Sequence, residues 1–226
     1  MKEYIKFKDS LECKLYVTGC LHLGHLLEGV WKSRGYNSPL EHTNGLIRTI
    51  NETCREQDVL LVLGDFCLNT SEEQFYQYLK DIKPKLWFLK GNHNNPWIKL
   101  YFKHSKEKFG YEVRCYEWLN KITYWGDYLH LSWNKQITIC NHYPYYVFDM
   151  IKVGGWSLVS HSHGSCQLTR PENLTMKQLD CGWDIHKKPL TFEEIQLIML
   201  RKGIPAHDHH SDMNLLLITR DINVGD

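Results

Sequence analysis

Three short apolar runs, each of which leads into a glycine, constrain the fold more than any other feature of the chain. The runs with their glycines are Leu15–Thr18 with Gly19, Val59–Leu63 with Gly64, and Leu86–Leu89 with Gly91. Their lengths suit strands, and apolar runs without alternation are typical of strands buried on both faces. Helical patterns separate the runs, so the order strand, helix, strand, helix, strand predicts a βαβ progression.

Two different signals mark the helices between these runs. Residues 41–57 place Leu46 and Ile50 on one apolar face, as an amphipathic helix does. Ser71, followed three residues later by Gln74, forms the capping box that opens a helix.

The second half of the chain is richer in strand patterns. Strands are expected at 112–119, 122–125, 128–133 and 136–140, before Val159, and at 176–181 and 215–218. Helices are expected after Pro96 and from Thr191 to about Lys202, and Asn134-Lys135 is a turn. The sequence therefore predicts a single α/β domain over residues 1–226, built as two packed mixed β-sheets flanked by helices.

The composition of the chain limits which partners it can bind and in which cellular compartment we expect it. The 226 residues carry a formal net charge of +1, which argues against a protein that grips long duplex DNA by neutralising phosphates. The net charge is compatible with nucleotides, short single strands of nucleic acid and phosphorylated metabolites as ligands. No apolar run approaches the roughly 18 residues of a membrane span, residues 1–6 lack the apolar core of a signal peptide, and the eight scattered cysteines indicate reduced thiols. We therefore expect a cytoplasmic protein with no membrane partner.

Five short motifs rich in metal-ligating side chains each follow a predicted strand. In chain order they are Cys20-x-His22, Gly64-Asp65, Gly91-Asn92-His93, Asn141-His142 and His161-x-His163. Loops at the carboxyl ends of strands are where open α/β sheets place their sites. Any one motif alone is more typical of a turn or a surface histidine, but no single structural need would place all five after strands. Together they predict one site with several imidazoles, a carboxylate, an amide and a thiol.

This set of ligands favours manganese, iron or zinc, because imidazole suits borderline transition metals whereas magnesium and calcium prefer oxygen. The carboxylate of Asp65 could bridge two ions about 3.5–4 Å apart, as two-metal phosphatases require. A bridging water would then lose a proton near neutral pH and attack phosphorus in line. The residues therefore predict one or two divalent transition metals (Mn²⁺, Fe²⁺/Fe³⁺ or Zn²⁺) and a phosphoester substrate.

The order of these motifs resembles the calcineurin-like metallophosphoesterase family, whose pattern is D-x-H, G-D, G-N-H-D/E, H and G-H-x-H. The resemblance runs from Thr18 to about Glu194. A compact subgroup found in bacteria and phages is also similar in three places, at His22-Leu23-Gly24-His25, at His142-Tyr143-Pro144 and at residues 179–184. The resemblance implies a two-sheet sandwich and a hydrolase that acts on phosphoric ester bonds.

Carried over residue by residue, the resemblance implies two metal sites and a substrate contact. The first metal would be held by His22, Asp65 and His163, with Cys20 at the remaining position, and the second by Asp65, Asn92, His142 and His161. Asp65 and His93 would be the catalytic residues, and His93 and Asn92 would lie against the substrate. His93 would assist departure of the leaving oxygen, which is typically worth about 10²–10⁴-fold in rate.

The chain departs from the family pattern at Cys20, where the family has its first aspartate. Cys20 could ligate as a thiolate, which suits zinc or iron. It could instead fail to ligate and leave one working metal, or the site could be degenerate. The lariat-debranching branch of the superfamily tolerates cysteine in a G-C-x-H context similar to residues 19–22. Asn94, in place of an acid, and Ser160, in place of glycine, are smaller departures.

Further candidates for substrate binding lie outside the motif ligands. His25 closely follows the first motif, and Arg34 lies in a segment, residues 28–44, expected to be a loop. That loop would either contact a base and a phosphate or pack as a lid without a ligand. The motif His207-x-His209-His210 resembles a cluster of metal-binding histidines. It lies in a polar stretch, where we expect a solvated loop.

The sequence thus predicts a metal-dependent phosphoesterase that cleaves a phosphodiester, in a nucleotide or short nucleic acid, by in-line attack of a metal-bound hydroxide. The preference for a diester is an analogy from the superfamily. The alternatives are a phosphomonoesterase acting on a nucleotide or small metabolite and a catalytically silent binding module that retains the fold.

Overall fold

A computed structural model describes residues 4–93, 121–166 and 176–203. Its strands are β1 (Ile5–Phe7), β2 (Leu15–Thr18), β3 (Val59–Val62), β4 (Lys85–Leu89), β5 (Ile122–Gly126), β6 (Tyr128–Trp133), β7 (Gln136–Asn141), β8 (Trp156–Val159) and β9 (Gln178–Asp180). Its helices are α1 (Glu28–Ser33), α2 (Pro39–Thr53), α3 (Glu72–Asp81), α4 (Trp183–His186) and α5 (Phe192–Met199), with a 3-10 turn at Ile151–Val153. The helix expected after Pro96, the strands expected at 112–119 and 215–218, and the histidines at 207–210 lie outside the described residues.

The strands form two sheets, one in the order β2-β3-β4-β5 and one in the order β1-β6-β7-β8-β9. All neighbours in the first sheet are parallel, and in the second only β6 and β7 are antiparallel. The predicted α/β fold with two sheets is confirmed, although among the described strands only the five-stranded sheet is mixed. The β6–β7 hairpin turns at Asn134 and Lys135, both with positive φ, as a two-residue turn requires.

The apolar runs lack alternation because the four-stranded sheet is buried on both faces. One face carries Val17 and Leu61 into a core between the two sheets. The other carries Leu60 into a core under α2 and α3, to which Leu46 and Phe75 contribute. All five side chains are at most 1% exposed, and burying each one stabilises the fold by about 1.5–3 kcal/mol.

Capping side chains fix where the helices begin. The predicted capping box opens α3, since Ser71 accepts a hydrogen bond from the backbone of Gln74 and Gln74 accepts one from the backbone of Ser71. The helix predicted over 41–57 is α2, which begins earlier, at Pro39, because Ser38 caps it. The longest described helix has 15 residues, and within the described ranges no helix has the length and apolarity to cross a membrane.

The loops that carry the five motifs follow β2, β3, β4, β7 and β8 at their carboxyl ends. A parallel bridge between Gly19 and Gly182 joins the two sheets just beyond β2 and β9. The topology therefore brings the motifs to one edge of the sandwich.

Candidate metal centre

Unusual backbone geometry marks the site. Ten non-glycine residues in the described ranges have positive φ, and five of them are predicted metal ligands. These five, with φ between 49° and 63°, are Cys20, His22, Asp65, His161 and His163. A non-glycine residue in the left-handed region costs of order 1–3 kcal/mol and persists only where its surroundings impose it, commonly at functional sites. Three of the five motifs thus use strained turns to aim their side chains.

Two motif glycines are required because ligands pack against their backbone. A Cβ on Gly64, whose φ is +92°, would lie 2.4 Å from Nδ1 of His142, and a Cβ on Gly91 would lie 2.0 Å from Oδ1 of Asp65. Both distances are well inside van der Waals contact. The glycines therefore let neighbouring loops approach closely enough for their ligands to meet.

The ring of His22 is buried without a hydrogen-bond partner. It is 3% exposed, and neither Nδ1 nor Nε2 has a partner among the described residues. Nε2 lies 3.8 Å from Oδ2 of Asp65, too far for a hydrogen bond. Burial lowers the pKa of His22, which keeps the imidazole in the neutral form that metals bind. A buried polar atom without a partner is costly, and a metal ion would satisfy it.

A second group of acceptors converges on His142. Its Nδ1 lies 2.7 Å from the carbonyl oxygen of Leu63, so Nδ1 carries the proton and Nε2 presents a lone pair. Nε2 lies 2.7 Å from Oδ1 of Asn92 and 3.2 Å from Nδ1 of His161. Burial lowers the pKa of His161, which favours the neutral form of this ring. The lone pair on Nε2 of His142 therefore faces the side-chain carbonyl oxygen of Asn92, and a cation would satisfy these two acceptors.

Asp65 belongs to both groups. Its Oδ2 lies 3.8 Å from Nε2 of His22 and 3.4 Å from Nε2 of His142. Its Oδ1 accepts the backbone N–H of His93 at 2.9 Å. Burial alone raises the pKa of Asp65, but its contacts with His142, with His22 and with the backbone N–H of His93 lower it below its ordinary value. The carboxylate is thus ionised and lies between the two groups, as a bridging ligand would.

The thiol of Cys20 also reaches both groups. Its Sγ lies within 4.8 Å of ligand atoms of His22 and His163, and within 4.8 Å of ligand atoms of Asp65 and His142. Burial raises the pKa of the Cys20 thiol to about 12, so it keeps its proton in the absence of a cation. A bound transition metal removes that proton from a coordinating thiol.

His163 is held by the carboxylate of Asp184, for which the sequence predicts no role. Its Nδ1 donates to Oδ2 of Asp184 at 2.6 Å, which leaves Nε2 free to bind a metal. Burial alone raises the pKa of Asp184, but the hydrogen bonds from His163 and Arg34 lower it well below its usual range. The only sequence signal was the likeness of residues 179–184 to the family's ending.

The structure corrects the prediction that Arg34 contacts a substrate phosphate. Its side chain is 1% exposed. All five N–H donors of its guanidinium are engaged, by Asp184, the carbonyl oxygens of Cys20 and Leu21, and His42. The segment 28–44, expected as a loop, holds α1 and the start of α2. Arg34 thus lies behind the site and has no donor left for a substrate.

The two histidines predicted to contact substrate both lie beside His22. The ring centroid of His93 is 5.7 Å from that of His22, and the ring centroid of His25 is 5.6 Å away. His93 is exposed, whereas Nδ1 of His25 accepts the backbone N–H of Leu27 at 3.0 Å. Burial lowers the pKa of His25, so the neutral ring carries its proton on Nε2.

Asp180 is a second carboxylate whose role the sequence did not indicate. It is fully buried, and its Oδ2 accepts hydrogen bonds from Oγ of Ser162 at 2.5 Å and from the backbone of Gly164 at 3.0 Å. Its Oδ1 accepts the backbone N–H of Gly182 at 2.8 Å. Asp180 therefore ties the loop that carries the last motif to the end of β9.

Comparison with solved structures supports the fold. A crystal structure of a protein of unknown function from Aquifex aeolicus matches with a TM-score of 0.57 over 82% of this chain and 99% of that chain. The two sequences are 14% identical, so this likeness concerns the fold alone. No curated protein matches the chain.

Comparison with protein families identifies the class. Residues 13–216 match the family described as calcineurin-like phosphoesterase, which accounts for most of the 226 residues. This family uses divalent transition metals to hydrolyse phosphoric esters, and the chain brings together ligand groups that would hold them. The match confirms the predicted family, fold and enzyme class. The chain belongs to the calcineurin-like phosphoesterase family and is a metal-dependent phosphoester hydrolase.

Proposed function

We propose that the substrate is a phosphodiester of a nucleotide or short nucleic acid, cleaved at a centre with two divalent metals in a single domain. The observation that carries the ligand assignment is the set of facing acceptors. Both ring nitrogens of His22 lack a partner, and Nε2 of His142 faces Oδ1 of Asn92 at 2.7 Å. Bound cations would satisfy the lone-pair nitrogen of His22 and the two acceptors that face each other at His142 and Asn92.

The ligands divide into two sets that share Asp65. The first set is Cys20, His22, Asp65 and His163, and the second is Asp65, Asn92, His142 and His161. Metals in such sites lower the pKa of water toward neutrality and take up the charge that develops on phosphoryl oxygens. The chain contributes neutral imidazoles at His22 and His161 and an ionised carboxylate at Asp65, which are the states that bind metal without first losing or gaining a proton.

Two further histidines are proposed to act on the substrate. The backbone N–H of His93 is fixed on Oδ1 of Asp65 at 2.9 Å, while its ring is exposed next to His22. A protonated His93 ring would donate to the leaving oxygen and contribute about 10²–10⁴-fold to the rate. His25, with its proton on Nε2, would donate a hydrogen bond to a phosphoryl oxygen.

An exposed aromatic ring beside the ligands supports a nucleotide substrate. Tyr143 is 44% exposed, and its ring centroid lies 4.6 Å from that of His161. Nucleobases stack on such rings, which is worth about 1–3 kcal/mol per base. A base attached to the scissile phosphate could therefore rest on Tyr143.

The choice between diesters and monoesters is tested with matched substrates. Protein loaded with Mn²⁺ or Zn²⁺ is assayed with bis-p-nitrophenyl phosphate against p-nitrophenyl phosphate, and with a dinucleotide against a mononucleotide. We expect the diester to be favoured in both pairs. Faster turnover of both monoesters would identify a phosphomonoesterase, and no turnover of any ester by fully loaded protein would contradict the proposal.

The role of His93 is tested separately. His93→Ala should lose about 10²–10⁴-fold in kcat at unchanged metal content. His130→Ala is the control, because the ring of His130 contacts Tyr4 and Tyr128 rather than the site. Equal losses in the two variants would argue against a catalytic role for His93.

A further inference from the structure

We infer that the ion pair of Arg34 and Asp184 acts as a clamp. It positions the ligands of the first metal site and thereby sets the affinity of that site for metal. Neither residue is a ligand in the assignment proposed above, on which this inference rests. Both act through the ligands that they hold. The clamp joins the first motif to the last, which lie at the ends of strands in different sheets.

One side of the clamp fixes the ring of His163. The carboxylate of Asp184 can only accept hydrogen bonds, so the 2.6 Å contact requires a proton on Nδ1 of His163. With Nδ1 engaged in this way, Nε2 is the nitrogen able to bind metal. Asp184 thus selects the competent tautomer of this ligand and fixes the direction of its ring.

The other side of the clamp fixes the loop of the first motif. The guanidinium of Arg34 donates to the carbonyl oxygens of Cys20 and Leu21, each at 2.8 Å. This loop is strained, since Cys20 and His22 have φ values of 51° and 52°. Arg34 therefore holds the turn from which two proposed ligands of the first site project.

A single side chain connects the two sides. Arg34 pairs with Asp184 through two bonds, Nε to Oδ1 at 2.9 Å and Nη2 to Oδ2 at 2.7 Å. A buried guanidinium is costly unless its donors are satisfied, and here all five are used. Lysine has a single ammonium in place of the planar fork, so it cannot reproduce this pattern.

The second metal site is held by other contacts. His142 is oriented by the carbonyl oxygen of Leu63 at 2.7 Å and by Oγ of Ser160 at 3.0 Å. In the described part of the chain, the hydrogen bonds of Arg34 and Asp184 go to none of the residues proposed for the second site alone. Loss of the clamp should therefore weaken one metal site and spare the other.

The chain offers a matched control far from the site. Arg55 forms a similar ion pair with buried Asp58, through Nε to Oδ2 at 3.1 Å and Nη2 to Oδ1 at 2.9 Å. Asp58 immediately precedes β3, at the end of the strand opposite Asp65. Arg55→Met removes an Arg–Asp pair of the same chemistry without touching a proposed ligand.

The test is a Co²⁺ titration of the metal-free full-length chain, followed by calorimetry and visible absorption. In Asp184→Asn we expect one of the two Co²⁺ dissociation constants to rise about 10–100-fold, as loss of such supporting contacts typically causes, with the other unchanged. Arg34→Lys should show a smaller rise in the same constant. Arg55→Met should leave both constants at their wild-type values.

Two results would overturn the clamp. The first is that Asp184→Asn and Arg34→Lys both bind two Co²⁺ ions as wild type does. The second is equal weakening of both sites, which would give the pair a general folding role. If Asp184→Asn does not fold, Arg34→Lys alone decides between these results. A wild-type chain that binds fewer than two Co²⁺ would instead refute the ligand assignment, and the clamp with it.

Discussion

The backbone N–H of His161 donates a hydrogen bond of 3.1 Å to the Sγ of Cys20, across 141 positions of sequence. The loop of the last motif thus presents a donor to the atom at position 20. An aspartate oxygen, which the family pattern places there, would accept the same bond. The fold therefore offers a hydrogen bond to an acceptor at this position, and the sulfur of Cys20 takes it.

Substitution of Cys20 should change which metal the first site prefers. A thiolate suits Zn²⁺ and Co²⁺, whereas a carboxylate suits Mn²⁺. We expect Cys20→Asp to keep two metals per chain and to shift the ratio of affinities toward Mn²⁺. Wild-type protein loaded with Co²⁺ should show a thiolate-to-cobalt charge-transfer band in the near ultraviolet. Full Co²⁺ loading of the wild type without that band would exclude Cys20 as a ligand.

Gly91→Ala should disable the site. The new Cβ would lie 2.0 Å from Oδ1 of Asp65, so the shared carboxylate must move. A displacement of about 1 Å at a catalytic group can cost about 10²-fold in rate, and we expect at least that loss in kcat/KM. Gly29→Ala is the control, because a Cβ on Gly29 would meet no atom within 4 Å. Equal activity of the two variants would contradict the shared role of Asp65.

Local signals made most of the fold predictable from the sequence. The strand ending at Thr18 and the capping box at Ser71 depend on neighbours in sequence, and both appear in the structure. The role of Asp184 could not be predicted, because its contact with Arg34 spans 150 positions and exists only once the sheets have packed. For the same reason the sequence leaves open whether Arg34 contacts a substrate or packs within the fold, since it does not show that the donors of Arg34 are used internally.

Metal should stabilise the native chain as well as activate it. The proposed ligands meet only in the folded chain, so a cation that binds only the folded state shifts the folding equilibrium toward it. At a metal concentration 100 times the dissociation constant this amounts to about 2.7 kcal/mol per site. Differential scanning calorimetry should therefore show a lower Tm after chelation, with recovery that depends on metal concentration. A Tm independent of added metal would contradict the proposed centre.

Asp58 should make the stability of the chain depend on pH. Burial alone raises its pKa, but hydrogen bonds from Arg55 and from the backbone of Lys14 lower it below the ordinary value. Because the folded pKa is below the unfolded value of about 3.9, its stabilisation is complete above about pH 5 and is lost as pH falls through the folded pKa.

Asp58→Asn measures this contribution. Removing a buried acceptor of charge-assisted hydrogen bonds should lower the free energy of unfolding by about 1–3 kcal/mol at pH 7. Urea denaturation of metal-free wild type and variant between pH 7 and pH 3 should show that difference shrinking at the acid end. A difference that does not change with pH would mean that the carboxylate stabilises the fold by shape rather than by charge.

Tyr143→Leu should weaken the binding of nucleotides but not of phosphate itself. Loss of one stacked base costs about 1–3 kcal/mol, so we expect KM for a dinucleotide to rise about 10-fold, while Ki for inorganic phosphate stays unchanged because phosphate has no base. Tyr145→Leu is a matched control, since Tyr145 is 42% exposed and its ring contacts Tyr128. A parallel rise in Ki for phosphate would show that Tyr143 supports the ligand His161 and that the base rests elsewhere.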